Sequence, residues 1–151
     1  MSDLVAFLRA RLDEIEAAAK AATSAPWSCQ VFHGGTDHAE WVVTGSTGSQ
    51  AVITGQVGVG WMAGMPHDGE HIALHDPARV LREVRAKRRI LFLLEAAQKK
   101  ADAMPGDGSL EHAVTKTTVT FLLTVAQTMA TAYDDHPGYD RAWDPGWETQ
   151  P

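Results

Sequence analysis

The sequence predicts an α+β fold with an N-terminal helix, a three-stranded antiparallel β-meander, two long C-terminal helices and a docked aromatic tail. Apolar residues recur with the 3.6-residue period of an α-helix in three long segments. Between the first two of these segments, residues 27–54 change to short strand-like runs separated by glycine-rich turns. The 151 residues, 44% of them hydrophobic, suit a single globular domain over residues 1–151.

The first helix is predicted over residues 1–22. Leu4, Leu8 and Leu12 fall on one face at helical spacing, and charged residues lie elsewhere. Pro26 cannot continue a helix and favours an extended conformation in the residue before it. We therefore expect the chain to leave the helix before Pro26 and to enter the meander there.

The meander, predicted over residues 27–54, has turns too short for a crossover connection, so its strands should be antiparallel neighbours. Residues 55–70 follow as a long glycine-rich loop. Loops of this length often carry function, and Trp61 gives this one apolar content that a plain spacer lacks. The side chain of Trp61 either tucks onto the sheet or belongs to a binding lid.

A basic helix is predicted over residues 76–101. Asp76 is suited to cap its N-terminus, and Pro77 stands where a missing N–H has no cost. The turn Ile90–Leu94 is apolar on every side, so it must be covered by other helices or by another subunit. We therefore expect a homo-oligomer, a dimer or a larger assembly.

The last predicted helix covers residues 109–133, with Ser109 as its cap. Its apolar residues at helical spacing form one face. The tail, residues 134–151, is rich enough in aromatic residues to dock on the body. The apolar face of this last helix consists of Leu110, Val114, Phe121, Leu122, Val125, Met129 and Ala132. The aromatic residues of the tail are Tyr139, Trp143 and Trp147.

Charge and composition exclude several classes of partner. The net charge of −6 gives no general attraction to nucleic acid, although residues 79–100 hold eight Lys or Arg against two Glu. The single Cys29 excludes an internal disulfide and fits a reducing cytoplasm. No apolar run approaches the ~20 residues of a membrane span, and the first residues lack the basic region of a signal peptide. We expect a cytoplasmic protein with no membrane partner.

Arg82, Arg85 and Arg89 fall on one side of the basic helix at spacings of three and four residues, and we call this set the arginine face. Guanidinium groups present planar pairs of donors that match phosphate and carboxylate. The arginine face, with Arg88 beside it and Trp61 on the glycine-rich loop, is the predicted ligand or anion site. The alternative is a solvated helix face, or ion pairs with acidic residues of the first helix: Asp13, Glu14 and Glu16.

His71 and His75 are the candidate metal ligands, because histidines four residues apart share one face of a helix and can share a zinc ion. The helix is predicted to begin only at Asp76, which would deny them that face. Glu70 precedes His71, so the order His-Glu-x-x-His of the zinc hydrolases is absent. In the alternative, His71 makes only a local hydrogen bond. We predict no cofactor and no catalytic residue.

Three blocks of the sequence carry a resemblance: Leu4–Glu14, His71–Ile90 and Tyr133–Trp143. Together they resemble a family of small proteins of unknown function encoded by actinobacteria and their phages. The central block is also similar to early-region accessory proteins of tailed phages. The resemblance implies a phage-type accessory protein made in the host cytoplasm, and it brings no functional residue with it.

Three functions are therefore expected in order. The first is non-catalytic binding that sequesters or inhibits a host protein, or a small phosphorylated signal molecule, as counter-defence proteins do. The second is a metal-dependent hydrolase that uses His71 and His75. The third is a structural or protein-interaction module. Nucleic acid is not expected, because Phe92 is the one aromatic residue in the basic run and is placed on its apolar side.

Overall fold

The computed structural model describes residues 1–33, 39–46, 51–56, 66–106 and 108–146, and it confirms the predicted α+β class. Across these ranges, every helix is too short or too polar to span a membrane. Two short 3₁₀ helices, Thr131–Tyr133 and Arg141–Trp143, follow the last long helix. The preceding elements are α1 (Ser2–Ala21), β1 (Ser28–His33), β2 (Ala39–Thr44), β3 (Ala51–Gln56), α2 (Pro66–Leu74), α3 (Pro77–Ala103) and α4 (Leu110–Ala130).

The prediction of a loop over residues 55–70 is wrong at both of its ends. Strand β3 continues to Gln56, and α2 begins at Pro66. Proline suits the first turn of a helix because its missing N–H has no partner there in any case. Asp68 adds a negative charge to the same turn, where the helix dipole favours it.

The described chain divides into two compact units, Met1–Glu14 with Arg85–Pro151, and Ile15–Val84. We call them the helical unit and the sheet unit. In the sheet unit, the strand order is β1-β2-β3 with antiparallel pairing throughout. The pairs Cys29↔Val43 and Val43↔Ile53 fix the register at the middle of the sheet.

Helix α2 lies against all three strands and covers one face of the sheet. Trp41 and Val43 of β2 are buried at 3% and 0% exposure. Gly69 is the buried residue of α2, and a Cβ atom built on it would stand 2.5 Å from the Trp41 ring and 2.7 Å from the Cys29 Sγ. The helix can come this close to the sheet only because Gly69 has no side chain.

In the helical unit, α1 contributes Leu4, Leu8 and Leu12 to the core, and each is at most 2% exposed. This is the face that the sequence predicts. Leu91 and Leu94 of α3 are equally buried, at 1% and 0%. The core of this unit is therefore built from leucines that recur at helical spacing.

The tail is held by Phe7 of α1, whose ring contacts four other rings that we call the aromatic cluster. The ring of Trp143 is nearest, with centroids 5.0 Å apart. Arg11 lies over the Phe7 ring, with its Cζ 5.5 Å from the ring centroid, and its guanidinium also forms a hydrogen bond with the ring of His136. The predicted docking of the tail is thus confirmed for Tyr139 and Trp143, while Trp147 lies outside the described residues. The cluster consists of Phe7 with Tyr133, His136, Tyr139 and Trp143.

The N-terminal half of the apolar face on α4 is exposed, although its helical spacing is as predicted. Leu110, Val114 and Phe121 are 81%, 56% and 69% exposed. The buried residues of α4 are instead small, Thr115, Ala126 and Ala130. Ser109 caps the helix as predicted, because its Oγ accepts a hydrogen bond from the N–H of His112.

Candidate functional site

The basic helix α3 begins where the sequence predicts. The N–H of Arg79 donates a hydrogen bond to Oδ1 of Asp76 at 2.6 Å, which satisfies one of the free donors of the first helical turn. Pro77 is the first residue of α3. The cap fixes where the helix starts and hence the direction in which each later arginine points.

The arginine face lies on the solvent side of α3. Val84, Leu91 and Leu94 are at most 2% exposed and form the buried side. Arg85 and Arg89 are exposed, and so is Arg82 one turn earlier. Within the described part of the chain, neither Arg82 nor Arg85 forms an ion pair or a side-chain hydrogen bond.

Phe92 adjoins this face, and its predicted place on the apolar side of the helix is wrong. Its side chain is 55% exposed, and the Cζ of Arg89 lies 5.0 Å from the centre of its ring. The next residue, Leu93, is 40% exposed. The spacing of three residues between Arg89 and Phe92 is the signal that could have revealed this pair in the sequence. A cation and an aromatic ring at this distance attract each other, and both remain accessible to a partner.

Arg88 points elsewhere and has a partner of its own. Its Nη2 lies 2.5 Å from Oδ1 of Asp13 on α1. Arg9 forms a second link between the same helices, with its Nη2 2.6 Å from Oε2 of Glu95. Ion pairs with acidic residues of the first helix are the alternative to an anion site that the sequence offered. Arg88 follows this alternative, since it pairs with Asp13, whereas Arg85 does not. Trp61, the remaining residue of the predicted site, lies outside the described residues.

His71 and His75 are close together, but the surroundings do not complete a metal site. His71 lies in the last turn of α2, so the expectation that it precedes any helix is wrong. The two imidazole rings are 4.4 Å apart between centroids, and Nδ1 of His75 is 2.9 Å from the carbonyl oxygen of His71. Among the described residues, no group of three His, Cys, Asp or Glu side chains is placed to hold a metal ion.

Cys29 is held in its protonated form. Its Sγ lies beneath Gly69 of α2. Burial raises the pKa of the thiol, and the nearby carboxylate of Glu70 raises it further. Since the thiolate is the nucleophilic form, a raised pKa lowers the reactive fraction at neutral pH. The sheet unit therefore uses Cys29 for packing under α2.

The chain was compared with models of known protein families. A model described as a family of unknown function (DUF6221) matches residues 1–145. Searches among curated proteins and among solved structures gave no significant match.

Proposed function

This chain belongs to DUF6221, a family of unknown function, and we propose that it acts by non-catalytic binding, with the arginine face of α3 as the surface that holds its partner. The observation that carries this proposal is the pair of exposed side chains Arg89 and Phe92, 5.0 Å apart, with Arg85 exposed one turn before them. Arginine and aromatic residues are enriched in protein interfaces and among the residues that supply most of the binding energy.

The shape and charge of this surface favour an acidic protein over a small phosphorylated molecule. Small ligands are held in concave pockets that bury most of their surface. Arg85, Arg89 and Phe92 instead stand on the outward side of one helix. A carboxylate-rich protein surface would pair with the guanidinium groups and cover the phenyl ring at the same time.

We place this activity in a phage-type accessory protein that works in the cytoplasm of a bacterial host. There it would sequester or inhibit a host factor in the manner of a counter-defence protein. The support for this context is the resemblance of Leu4–Glu14, His71–Ile90 and Tyr133–Trp143 to proteins of actinobacteria and their phages.

We also propose that the chain forms a homo-oligomer. The support is the turn Ile90–Leu94, in which Leu91 and Leu94 are buried while Phe92 and Leu93 are 55% and 40% exposed. Since Phe92 also belongs to the proposed binding surface, oligomer and partner would compete for it. Sedimentation of the Leu93→Glu variant tests this point, because a dissociated species is expected, and an unchanged mass would rule out this turn as the subunit contact.

The test of partner binding compares four immobilised proteins in capture from a bacterial host lysate: the native chain, Arg85→Glu, Phe92→Ala and Lys116→Glu. Lys116 is exposed on α4, so its substitution changes the net charge as Arg85→Glu does but leaves the arginine face intact. We expect an acidic protein to be captured by the native chain and by the Lys116→Glu variant. The Arg85→Glu and Phe92→Ala variants should bind the purified partner at least ~10-fold more weakly, because each has lost a residue that anchors the interface.

Each alternative has its own signature in the same experiment. If the native chain captures no protein but releases a phosphorylated metabolite, the partner is a small ligand and not an acidic protein. DNA or RNA captured by the native chain, and captured less by the Arg85→Glu variant, would show nucleic-acid binding. The sequence argued against this function because Phe92 was expected on the apolar side of the helix, but Phe92 is exposed. Capture that survives both Arg85→Glu and Phe92→Ala would mean that the arginine face is not the binding surface.

A further inference from the structure

The helical unit contains a small pocket of about 160 Å³ at the place where the tail folds over the end of α4. It is separate from the arginine face, and nothing in the sequence patterns singled it out. An engineered cavity of about 150 Å³ holds one benzene molecule, so a ligand of this pocket has the size of a small metabolite. The residues that line this pocket include Thr128, Thr131, Asp134, Tyr139, Arg141 and Asp144.

Opposite charges line this pocket without neutralising each other. Within the described residues, the guanidinium of Arg141 and the carboxylate of Asp134 take part in no ion pair and no side-chain hydrogen bond. Asp144 uses one carboxylate oxygen to accept the N–H of Gly146 at 2.8 Å and keeps the other. The pocket thus offers one cation and two anions to whatever enters it.

The phenol of Tyr139 lies in the field of these groups. Burial raises its pKa most, the carboxylates of Asp144 and Asp134 raise it further, and Arg141 acts in the opposite direction. The hydroxyl therefore stays protonated and is available as a neutral hydrogen-bond donor. The ring itself is fixed by the aromatic cluster, with its centroid 5.8 Å from that of Trp143.

The arrangement of charges decides among ligand classes. A simple carboxylate would pair with Arg141 but would face Asp134 and Asp144. A simple amine would pair with the two carboxylates but would leave Arg141 opposed to a like charge. A molecule that carries both an ammonium and a carboxylate satisfies all three side chains, and charge-assisted hydrogen bonds of this kind are the strong ones.

We propose that this pocket binds a small free α-amino acid, with the ligand carboxylate on Arg141, its ammonium on Asp134 and Asp144, and the hydroxyl of Tyr139 as a further donor. The hydroxyls of Thr128 and Thr131 each donate to a main-chain carbonyl, which leaves their oxygens free as acceptors. They line the wall on which a short ligand side chain would rest.

The test is calorimetric titration of the whole chain with the standard proteinogenic amino acids, one at a time. The matched probes are methylammonium chloride and sodium acetate, each of which keeps one of the two ligand charges. We expect saturable binding of at least one small amino acid below about 10 mM, and no saturation by either single-charge probe in that range.

Substitutions then assign the charges. Arg141→Gln and Asp134→Asn should each weaken binding of that amino acid by about 10- to 100-fold, the usual effect of losing a hydrogen bond to a charged group. Tyr139→Phe keeps the ring in the aromatic cluster and should have a smaller effect. Lys116→Gln, away from the pocket, and Arg85→Glu, on the arginine face, should bind the amino acid as the native chain does. Circular dichroism checks that each variant is folded.

Three results would overturn the proposal. They are the absence of saturable binding for every amino acid tested, binding of methylammonium as tight as that of the best amino acid, and undiminished binding by the folded Arg141→Gln variant. Because Arg85→Glu serves here as a control, failure of the amino-acid site and failure of the proposed partner surface are separate outcomes.

Discussion

Substitution of Gly69 by alanine tests the closest contact in the sheet unit. The added Cβ would stand 2.5 Å and 2.9 Å from two carbons of the Trp41 ring and 2.7 Å from the Cys29 Sγ. Real Cβ atoms essentially never come within 3.0 Å of a neighbour. Trp41 is 3% exposed, so its ring is enclosed by protein and not by solvent that it could displace. Helix α2 must therefore move away from the sheet or distort β2.

The magnitude follows from two opposing effects. Alanine in place of glycine inside a helix is favourable by about 0.8–1.0 kcal/mol. Overpacking a well-packed site typically costs about 1–3 kcal/mol. Two contacts on the buried Trp41 ring and one on the Cys29 Sγ place Gly69→Ala at the upper end of that cost, so we expect the free energy of unfolding to fall by about 2 kcal/mol. That is a large part of the ~5–15 kcal/mol by which a domain is stable.

Urea denaturation followed by far-UV circular dichroism measures this change. With an m-value of about 1–3 kcal/mol per M, the midpoint should fall by about 1 M while the m-value stays constant. Cys29→Ala removes one of the three contacts, so the double variant should lose less than the sum of the two single losses. A Gly69→Ala protein that is as stable as the native chain, or more stable, would show that α2 does not approach the sheet this closely.

Three further predictions concern the cap, the aromatic cluster and the thiol. Asp76→Ala removes the hydrogen bond to the N–H of Arg79 and should cost about 1 kcal/mol in urea denaturation, whereas Asp76→Asn should be nearly neutral; equal losses in both would contradict a capping role. Phe7→Ala leaves four rings without their common neighbour and should cost about 3 kcal/mol, with a weaker near-UV dichroism signal from the tail aromatics. An unchanged signal would refute the cluster. Because the pKa of Cys29 is raised in the folded chain, its contribution to stability is present below the ordinary value of 9.0 and is lost as the pH rises through the raised value. The free energy of unfolding should therefore fall above about pH 9, and it should fall less in Cys29→Ser. Glu70→Gln should speed alkylation of the thiol by iodoacetamide, because more of the thiol is then ionised. An unchanged alkylation rate would show that Glu70 does not raise the pKa of Cys29.

The sequence predicts the α+β class because helical and strand periods occupy separate parts of the chain. It fails at α2 for a reason that lies outside that segment. Gly69 lowers helix propensity by about 1 kcal/mol, so the sequence up to residue 70 is predicted as part of the glycine-rich loop. The glycine is required because Trp41 and Cys29 stand against it, and both lie far away in the sequence. No local pattern contains that information.

The same limit explains why Phe92 of α3 and the apolar residues of α4 were expected on a buried side. Spacing places Leu110, Val114 and Phe121 on one side of α4, but it does not show which side meets the core. The buried side consists instead of small residues such as Thr115 and Ala126. The proposed amino-acid pocket was missed altogether, since its charged residues come from a tail without periodicity and meet only in three dimensions.

The aromatic cluster joins Phe7 to rings that lie more than a hundred positions later in the sequence. Closing so long a loop costs entropy before the rings can meet, and contacts of this kind are slow to form. The leucine face of α1 shares the helical unit with Leu91 and Leu94 of α3, which lie nearer to it in the sequence. We therefore expect the tail to dock in a late step of folding, on a helical core that has already formed.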